Sequence, residues 1–308
     1  MKLISIICPV YNEEKTVGLF YDRIRRVVDP LSNRYAFEFL FTNNRSTDGT
    51  LDQLLRLREA DRRVQVITLS RNFGYQASLQ SGLSHAVGDA IVIIDVDCED
   101  PPEMISEFVA KWEEGFDIVY GIRSDRPEAW LLKQVRNAFY RVLRIMADMD
   151  VILYMAEFAL VGADVRDCLI ENRNTFPFLR SEIGYAGFSR CGIKYARQKR
   201  IAGVTHYNLI RMAAFAIGGI LTSSTILLRA AVYCWPILVL ANILFLASGR
   251  AGGFSSAVIL DLLWVAFLLT VHGLYLARVY KNGIGRPVYI IDKKHTFLNR
   301  PASVAANV

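Results

Sequence analysis

The 308-residue chain reads as an α/β protein with a mostly parallel sheet, followed by an apolar two-helix hairpin. Three observations predict this. Short β-branched runs alternate with helically spaced segments through residues 1–200. Each of the first four runs ends in a knot of polar residues. Two stretches almost without charge then follow Arg229.

"LISIICPV" opens the chain as a buried strand closed by Pro9. Within "EEKTVGLFYDRIRRVVD", Val17, Phe20, Ile24 and Val27 recur at helical spacing. "YAFEFLFTNN" is a second strand, and "STDGTLDQLLRLREA" a helix opened by a Ser/Thr/Asp region. "VQVITLS" is a third strand, "GYQASLQSGLSHAV" a helix, "AIVIID" a fourth strand and "FDIVYGIR" a fifth. "AWLLKQVRNAFYRVLRIMAD" has amphipathic helical spacing; "YMAEFALVGADVRDCLI" follows, and "IKYARQKRIAG" closes the soluble part. Parallel sheets of this kind bind ligands outside the carboxyl ends of their strands. That rule gathers Tyr11-Asn12-Glu13, Asn43-Asn44-Arg45, Arg71-Asn72 and Asp95–Asp100 into one crevice.

At 53% apolar residues the composition is greasy for a soluble enzyme, and the surplus lies in 213–280. Ala230–Ala247 carries no charge, and Val258–Ala277 only Asp261. Each approaches the roughly 20 residues needed to cross a bilayer. Arg211 and Arg229 precede the pair; Arg278, Lys281, Arg286, Lys293 and Lys294 follow it; the Gly-rich link holds only Arg250. The positive-inside rule therefore puts both ends in the cytoplasm. Two buried helices of a soluble core are the competing reading, which their length disfavours.

The net charge of +6 comes from basic clusters beside these spans, which point to anionic lipid and not to nucleic acid. "KLISIICPVYN" is too short and strand-like for a signal peptide. Five cysteines without paired spacing imply reduced thiols and no zinc site. The expected organisation is a soluble domain over 1–199, interfacial helices over 200–229, two spans over 230–280, and a cytoplasmic tail over 281–308 with a loose end.

The chemistry concentrates in "IIDVDCEDPPE". In an extended segment Asp95 and Asp97 would point the same way, and Glu99 could join them. Such hard oxygen ligands suit Mg²⁺ or Mn²⁺, which bridge phosphate oxygens. A solvated acidic loop is the bland alternative. Arg123 ends the next strand, and a metal with an arginine is what a diphosphate leaving group requires. A nucleotide-diphosphate donor follows.

Other polar residues carry plainer readings. Asp100 before Pro101-Pro102 reads as a helix cap, and Asp48-Gly49 as turn and cap chemistry. Arg71 and Asn72 divide evenly between capping and ligand contact. His85 and His272 read as packed or interfacial, and Asp261 as functional or as reaching the headgroups.

"SIICPVYNEE", "NNRSTDGT", "LSRNFGYQASLQSGL", "IIDVDCEDPPE", "YGIRSDR" and "RIAGVTHYNL" stand in the order and spacing of the family 2 glycosyltransferases of the GT-A fold, which the chain resembles from Leu3 to about Ile291. With the hairpin and "YLARVYKNGIGRPVYI" it is similar to the polyprenyl-phosphate glycosyltransferases, and among them to the bactoprenol branch. The resemblance implies nucleotide contacts at Pro9, Tyr11, Glu13, Thr42, Asn44 and Asp95. It implies a metal on Asp97 and Glu99, and arginines for donor diphosphate and acceptor phosphate at Arg123 and Arg200. Glu157 in "MAEFAL" matches a proposed acceptor-side base, and His206 lies near the lipid phosphate.

Four positions depart from the family pattern. Asn44-Arg45-Ser46 replaces the common Asp-Gly-Ser; Asn44 can still accept from a base N–H but is neutral and also a donor. Glu99 stands for Gln and adds charge for a cation. His206 stands for a frequent Lys, so its positive charge fades above about pH 6.5. Tyr75 stands where relatives often have His.

The implied activity is inverting hexosyl transfer from a UDP-sugar to undecaprenyl phosphate at the cytoplasmic face of a bacterial inner membrane, for a surface glycan. A small membrane flippase is the implied partner, and homo-oligomers occur among relatives. Two alternatives stay open: a processive polysaccharide synthase, weakened because "RQKRIAG" lacks the Trp of Gln-x-x-Arg-Trp, and a catalytically silent membrane adaptor.

Overall fold

The computed structural model describes residues 1–125, 155–172, 177–200, 224–248 and 253–299, with isolated positions between. The helix expected in "AWLLKQVRNAFYRVLRIMAD", most of the interfacial segment after Arg200, and His206 lie outside the described residues.

Seven strands form one sheet: β1 (Lys2–Val10), β2 (Tyr35–Asn43), β3 (Val64–Thr68), β4 (Ala90–Ile93), β5 (Ile118–Asp125), β6 (Met155–Gly162) and β7 (Arg190–Ala196). Their order across the sheet is β3-β2-β1-β4-β6-β5-β7. The first four strands are mutually parallel. Strand β6 runs antiparallel to both neighbours, and β7 is parallel to β5. Helices α1 (Val17–Val28), α2 (Thr50–Ala60), α3 (Tyr75–His85), α4 (Ile105–Glu113), α5 (Ala163–Glu171) and α6 (Leu179–Ala186) cover the faces.

The near-continuous apolar run of β1 follows from burial on both sides. Ile4, Ile6 and Cys8 share one core with Phe20, Ile24, Phe108 and Phe158. Ile7 joins Leu79, Leu83, Ile91, Val161 and Val165 in the other. Each such side chain contributes about 1.5–3 kcal/mol of transfer free energy. Gly82 lets α3 lie close on the sheet, because a Cβ there would collide with the Ile7 side chain.

Strand β6 accounts for "YMAEFALVGADVRDCLI", which splits into β6 and α5. Running backwards between β4 and β5, it brings its first residues to the ligand end of the sheet. Ile91 pairs with Val161 and Ile93 with Ala159. Continued two residues further, that register sets Glu157 level with Asp95.

The hairpin consists of α7 (Ile226–Ala247) and α8 (Gly253–Ile284), each long and apolar enough to cross a membrane. Their apolar side chains, Trp235, Ile237, Leu262 and Leu269 among them, face outward, so these are not helices of a soluble core. At 32 residues α8 is about 48 Å long, more than the roughly 30 Å of a hydrocarbon core. Asn242 Nδ2 donates to Asp261 Oδ1 at 2.8 Å, so Asp261 faces the other helix of the hairpin.

The chain beyond α8 returns to the seven-stranded sheet. Ile291 bridges Leu69 and Phe297 bridges Val66, while Thr68 N donates to Thr296 Oγ1 at 2.9 Å. This strap covers the open edge of β3. The end of the hairpin that follows α8 is thereby tied to the sheet.

Candidate active site

Strand β4 ends at Ile93, and the chain turns at Val96 and Asp97. The extended geometry expected for Asp95 and Asp97 is therefore absent. Cys98 takes a left-handed conformation (φ 56°), which folds the loop so that Glu99 N donates to Asp97 Oδ1 at 3.0 Å.

Each acid meets a different partner. Tyr75, at the start of α3, donates its hydroxyl to Asp95 Oδ1 at 2.8 Å. Arg200 approaches Asp97 Oδ2 at 3.2 Å through Nη2 and 3.3 Å through Nε. Arg197 pairs with Glu99. Arg123 Nη2 lies 2.8 Å from Asp100 Oδ2, and the Tyr195 hydroxyl also donates to Asp100. The expectation that Asp100 caps a helix is thus corrected: it is a buried counter-ion, because β5 and β7 bring Arg123 and Tyr195 directly over it.

Crowded acid shows in the titration. Burial, then the charges of Asp97 and Asp100, push the Asp95 carboxyl up to about 7. Burial and Asp97 raise Glu99. Burial, with Asp95 and Glu157 adding to it, pushes the Tyr75 hydroxyl well above its ordinary range. For Arg123, burial alone would lower the pKa, but the adjoining Asp100 raises it and fixes the charge.

On the side expected for the nucleotide, Pro9 is the last residue but one of β1, and Tyr11 stands exposed just beyond the strand. Glu13 Oε1 lies 3.2 Å from Arg200 Nη2, so one guanidinium spans Glu13 and Asp97. Thr42 is fully buried, with its hydroxyl 2.8 Å from Ser78 Oγ beneath α3. The Asn44 amide is tied inward: Oδ1 accepts from Phe73 N at 2.9 Å, and Nδ2 donates to Asn72 Oδ1 at 3.1 Å. Asn72 also accepts from Gly74 N at 2.9 Å, and the Arg71 guanidinium stacks on Phe73.

Arg45 sits at φ 61°, a slot that glycine fills without strain, and its guanidinium pairs with Asp292 of the strap at 2.8 Å. Asp48 accepts from Thr50 N at 3.1 Å, the turn and cap chemistry expected of it.

At the start of β6, buried Glu157 has Arg180 Nε 3.0 Å from Oε1 and Gln76 Nε2 at 3.4 Å. Its Oε2 is buried and has no hydrogen-bond partner among the described residues. Sequence spacing gave no role to Arg180, Tyr195 or Arg197. The basic run "YARQKR" was the available signal for the last two.

The donor set fits a hard cation. Asp97 and Glu99 offer only oxygen, the loop holds them together, and the surrounding acid is offset by arginines. Among the described residues no three metal-capable side chains converge. Mg²⁺ sites built from one or two carboxylates are completed by water and substrate phosphates.

The family model for "Glycosyl transferase family 2" matches residues 5–161. The chain is 35% identical over 309 residues to "Uncharacterized glycosyltransferase YkcC" of Bacillus subtilis (strain 168), covering 96% of this chain and 95% of that one. It is 31% identical to "Prophage bactoprenol glucosyl transferase homolog" of Escherichia coli (strain K12), with 94% and 98% covered. Among solved structures, glucosyl-3-phosphoglycerate synthase from Mycobacterium tuberculosis superposes at a TM-score of 0.49 and 18% identity, with 72% and 77% covered. The mixed, mostly parallel sheet with its acidic loop at the strand ends, and a family match over more than half the chain, lead to one assignment: this protein is a family 2 glycosyltransferase of the polyprenyl-phosphate group.

Proposed function

We propose that the enzyme transfers a sugar with inversion from a nucleotide diphosphate, a UDP-sugar by the resemblance, to undecaprenyl or a related polyprenyl phosphate. The carrying observation is the acidic loop Asp95–Asp100 at the strand ends, ringed by Arg123, Arg197 and Arg200, in a chain that also carries two helices long and apolar enough to cross a membrane. The relatives named for bactoprenol glucosyl transfer support the acceptor.

Asp97 and Glu99 would hold Mg²⁺ or Mn²⁺, which when bound supplies positive charge to the diphosphate. Pro9, Tyr11, Glu13, Thr42, Asn44 and Asp95 would frame the nucleotide, with Thr42 and Asn44 acting through the backbone loops that their side chains fix. Arg123, held rigid by Asp100 and Tyr195, presents fixed charge beside the leaving group.

The acceptor, a phosphate monoester with a second pKa near about 6, is already an anionic nucleophile at neutral pH. Its oxygen attacks the anomeric carbon from the face opposite the nucleotide, and the nucleotide diphosphate departs. Little is asked of Glu157. Paired with Arg180, it orients the acceptor through the open lone pairs of Oε2. Arg200 and His206 would receive the acceptor phosphate.

The apolar hairpin and its basic flanks support a reading in which this chemistry takes place at the cytoplasmic face of a bacterial membrane. The lipid-linked sugar then needs a flippase to reach a surface glycan.

The test uses full-length protein in nanodiscs containing undecaprenyl phosphate, a panel of nucleotide sugars, and Mg²⁺ or Mn²⁺. Nucleotide diphosphate should be released with one sugar, only with lipid phosphate and metal present. A silent adaptor would release none with any donor, and that result refutes the proposal.

A further inference from the structure

The acidic loop already carries two cations of its own. Arg200 bridges Glu13 and Asp97 at 3.2 Å each, and Arg197 pairs with Glu99. Of these three carboxylates, Asp97 and Glu99 are the two proposed to hold a divalent ion. Both arginines follow β7, within four residues of one another, and Gln198 between them is fixed to the same loop, its N–H donating to Glu99 O at 2.9 Å. Its Oε1 accepts from Arg23 at 2.9 Å. The start of this segment is thus pinned to the acidic loop by a backbone bond, while the guanidiniums occupy the carboxylate oxygens.

We infer that Arg197 and Arg200 are resident counter-ions of the metal site. They leave Asp97 and Glu99 when a divalent cation binds, and so become available to the acceptor phosphate. Metal loading and assembly of the acceptor site are then one event. The inference rests on the transfer reading above only for the identity of the acceptor.

The physical case is charge balance in a confined space. Asp97 is buried, and Glu99 is part-buried beside it, its N–H donating to Asp97 Oδ1. Carboxylates in such a place require a partner at all times, because an unpaired buried charge costs several kcal/mol. A divalent ion on the same oxygens repels a guanidinium at contact distance. Two arginines on one short segment therefore exchange places with it. Freed beside a crevice that receives phosphates, they meet the kind of anion that a planar guanidinium binds through two parallel hydrogen bonds. The order that results is metal with nucleotide first, lipid phosphate second. The anionic acceptor is thereby kept from binding before the donor is in place.

Two measurements on the full-length protein in nanodiscs test this without turnover. The first is Mn²⁺ titration, followed by the paramagnetic resonance of the free ion, with neither nucleotide nor lipid phosphate present. Arg197→Gln and Arg200→Gln should each bind Mn²⁺ more tightly than the parent, by about fivefold, the lower range of ordinary site-to-site coupling. Unchanged or weaker Mn²⁺ binding overturns the inference.

The second uses farnesyl phosphate as a probe on the unaltered protein, so that it survives any folding defect in the variants. Mn²⁺ with UDP should tighten its binding by about fivefold relative to UDP alone, after correction for the Mn²⁺ complex of the free probe. No metal effect on the probe likewise overturns it. Loss of sugar transfer in Arg200→Gln with unaltered Mn²⁺ affinity would overturn the counter-ion role and leave the transfer reading intact. Absence of nucleotide release by the parent would do the reverse.

Discussion

Asp100 and Arg123 form a buried ion pair, 2.8 Å between Oδ2 and Nη2, with Tyr195 adding its hydroxyl to the same carboxylate. Side-chain exposure of 2% for Asp100 and 17% for Arg123 takes the pair out of the class of surface salt bridges, which contribute little. It joins the acidic loop to β5 and β7 and makes Arg123 a fixed charge.

Removing one partner leaves the other charged and buried. Asp100→Asn should therefore destabilise the domain by about 3 kcal/mol, read as a lower melting temperature. Asp100→Asn combined with Arg123→Gln should recover part of that loss. If the single and double variants melt together with the parent, the pair has no structural weight.

The roles proposed for Asp97 and Glu157 separate by substitution. Asp97→Ala should lower nucleotide release by at least about a hundredfold, since it removes charge stabilisation of the leaving group. Glu157→Gln should lower it by about tenfold, because an anionic acceptor needs no strong base. A dead Glu157→Gln beside an active Asp97→Ala would invert this assignment.

Glu182 offers a test by pH. Its Oε1 accepts from Phe178 N at 3.2 Å, its Oε2 is buried without a partner among the described residues, and burial pushes its carboxyl up to about 7. A raised folded-state pKa means that the native protein keeps this proton longer than the unfolded chain. Its stabilising contribution is complete at about pH 4, falls as pH rises to about 7, and stays lost above. Glu182→Gln should therefore melt with the parent near pH 4.5 and above it at pH 8, by the equivalent of about 1–3 kcal/mol. Equal melting temperatures at pH 8 would contradict the buried-acid reading.

The strap should matter to the nucleotide side through Arg45. Asp292 holds that guanidinium at 2.8 Å and His295 Nδ1 at 2.7 Å. Asp292→Ala and Arg45→Ala should each raise KM for the donor severalfold with little change in kcat, and the double variant should do no worse than either single one. Independent effects would dissociate the ion pair from donor binding. Ending the chain at Arg286 should bare the β3 edge and yield aggregates on gel filtration.

Much of this architecture was legible in the sequence. β1, β2, β3 and α1–α3 appear where hydrophobic periodicity puts them, since each segment buries the face that its own spacing predicts. The acidic cluster and both apolar helices were equally plain, although α7 and α8 start earlier, and α8 runs further, than charge-free composition suggested. Less was readable in "YMAEFALVG": an apolar run fixes a strand but not its direction, and only pairing with β4 shows that Glu157 arrives at the ligand end. The strap was missed as well. Ile291 and Phe297 are modest signals in a polar tail, and what makes them bind is the open edge of a strand more than 200 residues away.

Local spacing, then, determined the elements and the presence of a dense patch of acid, because these depend on neighbours along the chain. It could not assign partners to that acid. Asp95 with Tyr75, Asp97 with Arg200, Glu99 with Arg197 and Asp100 with Arg123 are pairs made between segments far apart in the chain. Tertiary structure alone decided those pairings, since electrostatic partners are set by distance in space, which a linear chain does not encode until its sheet order is formed.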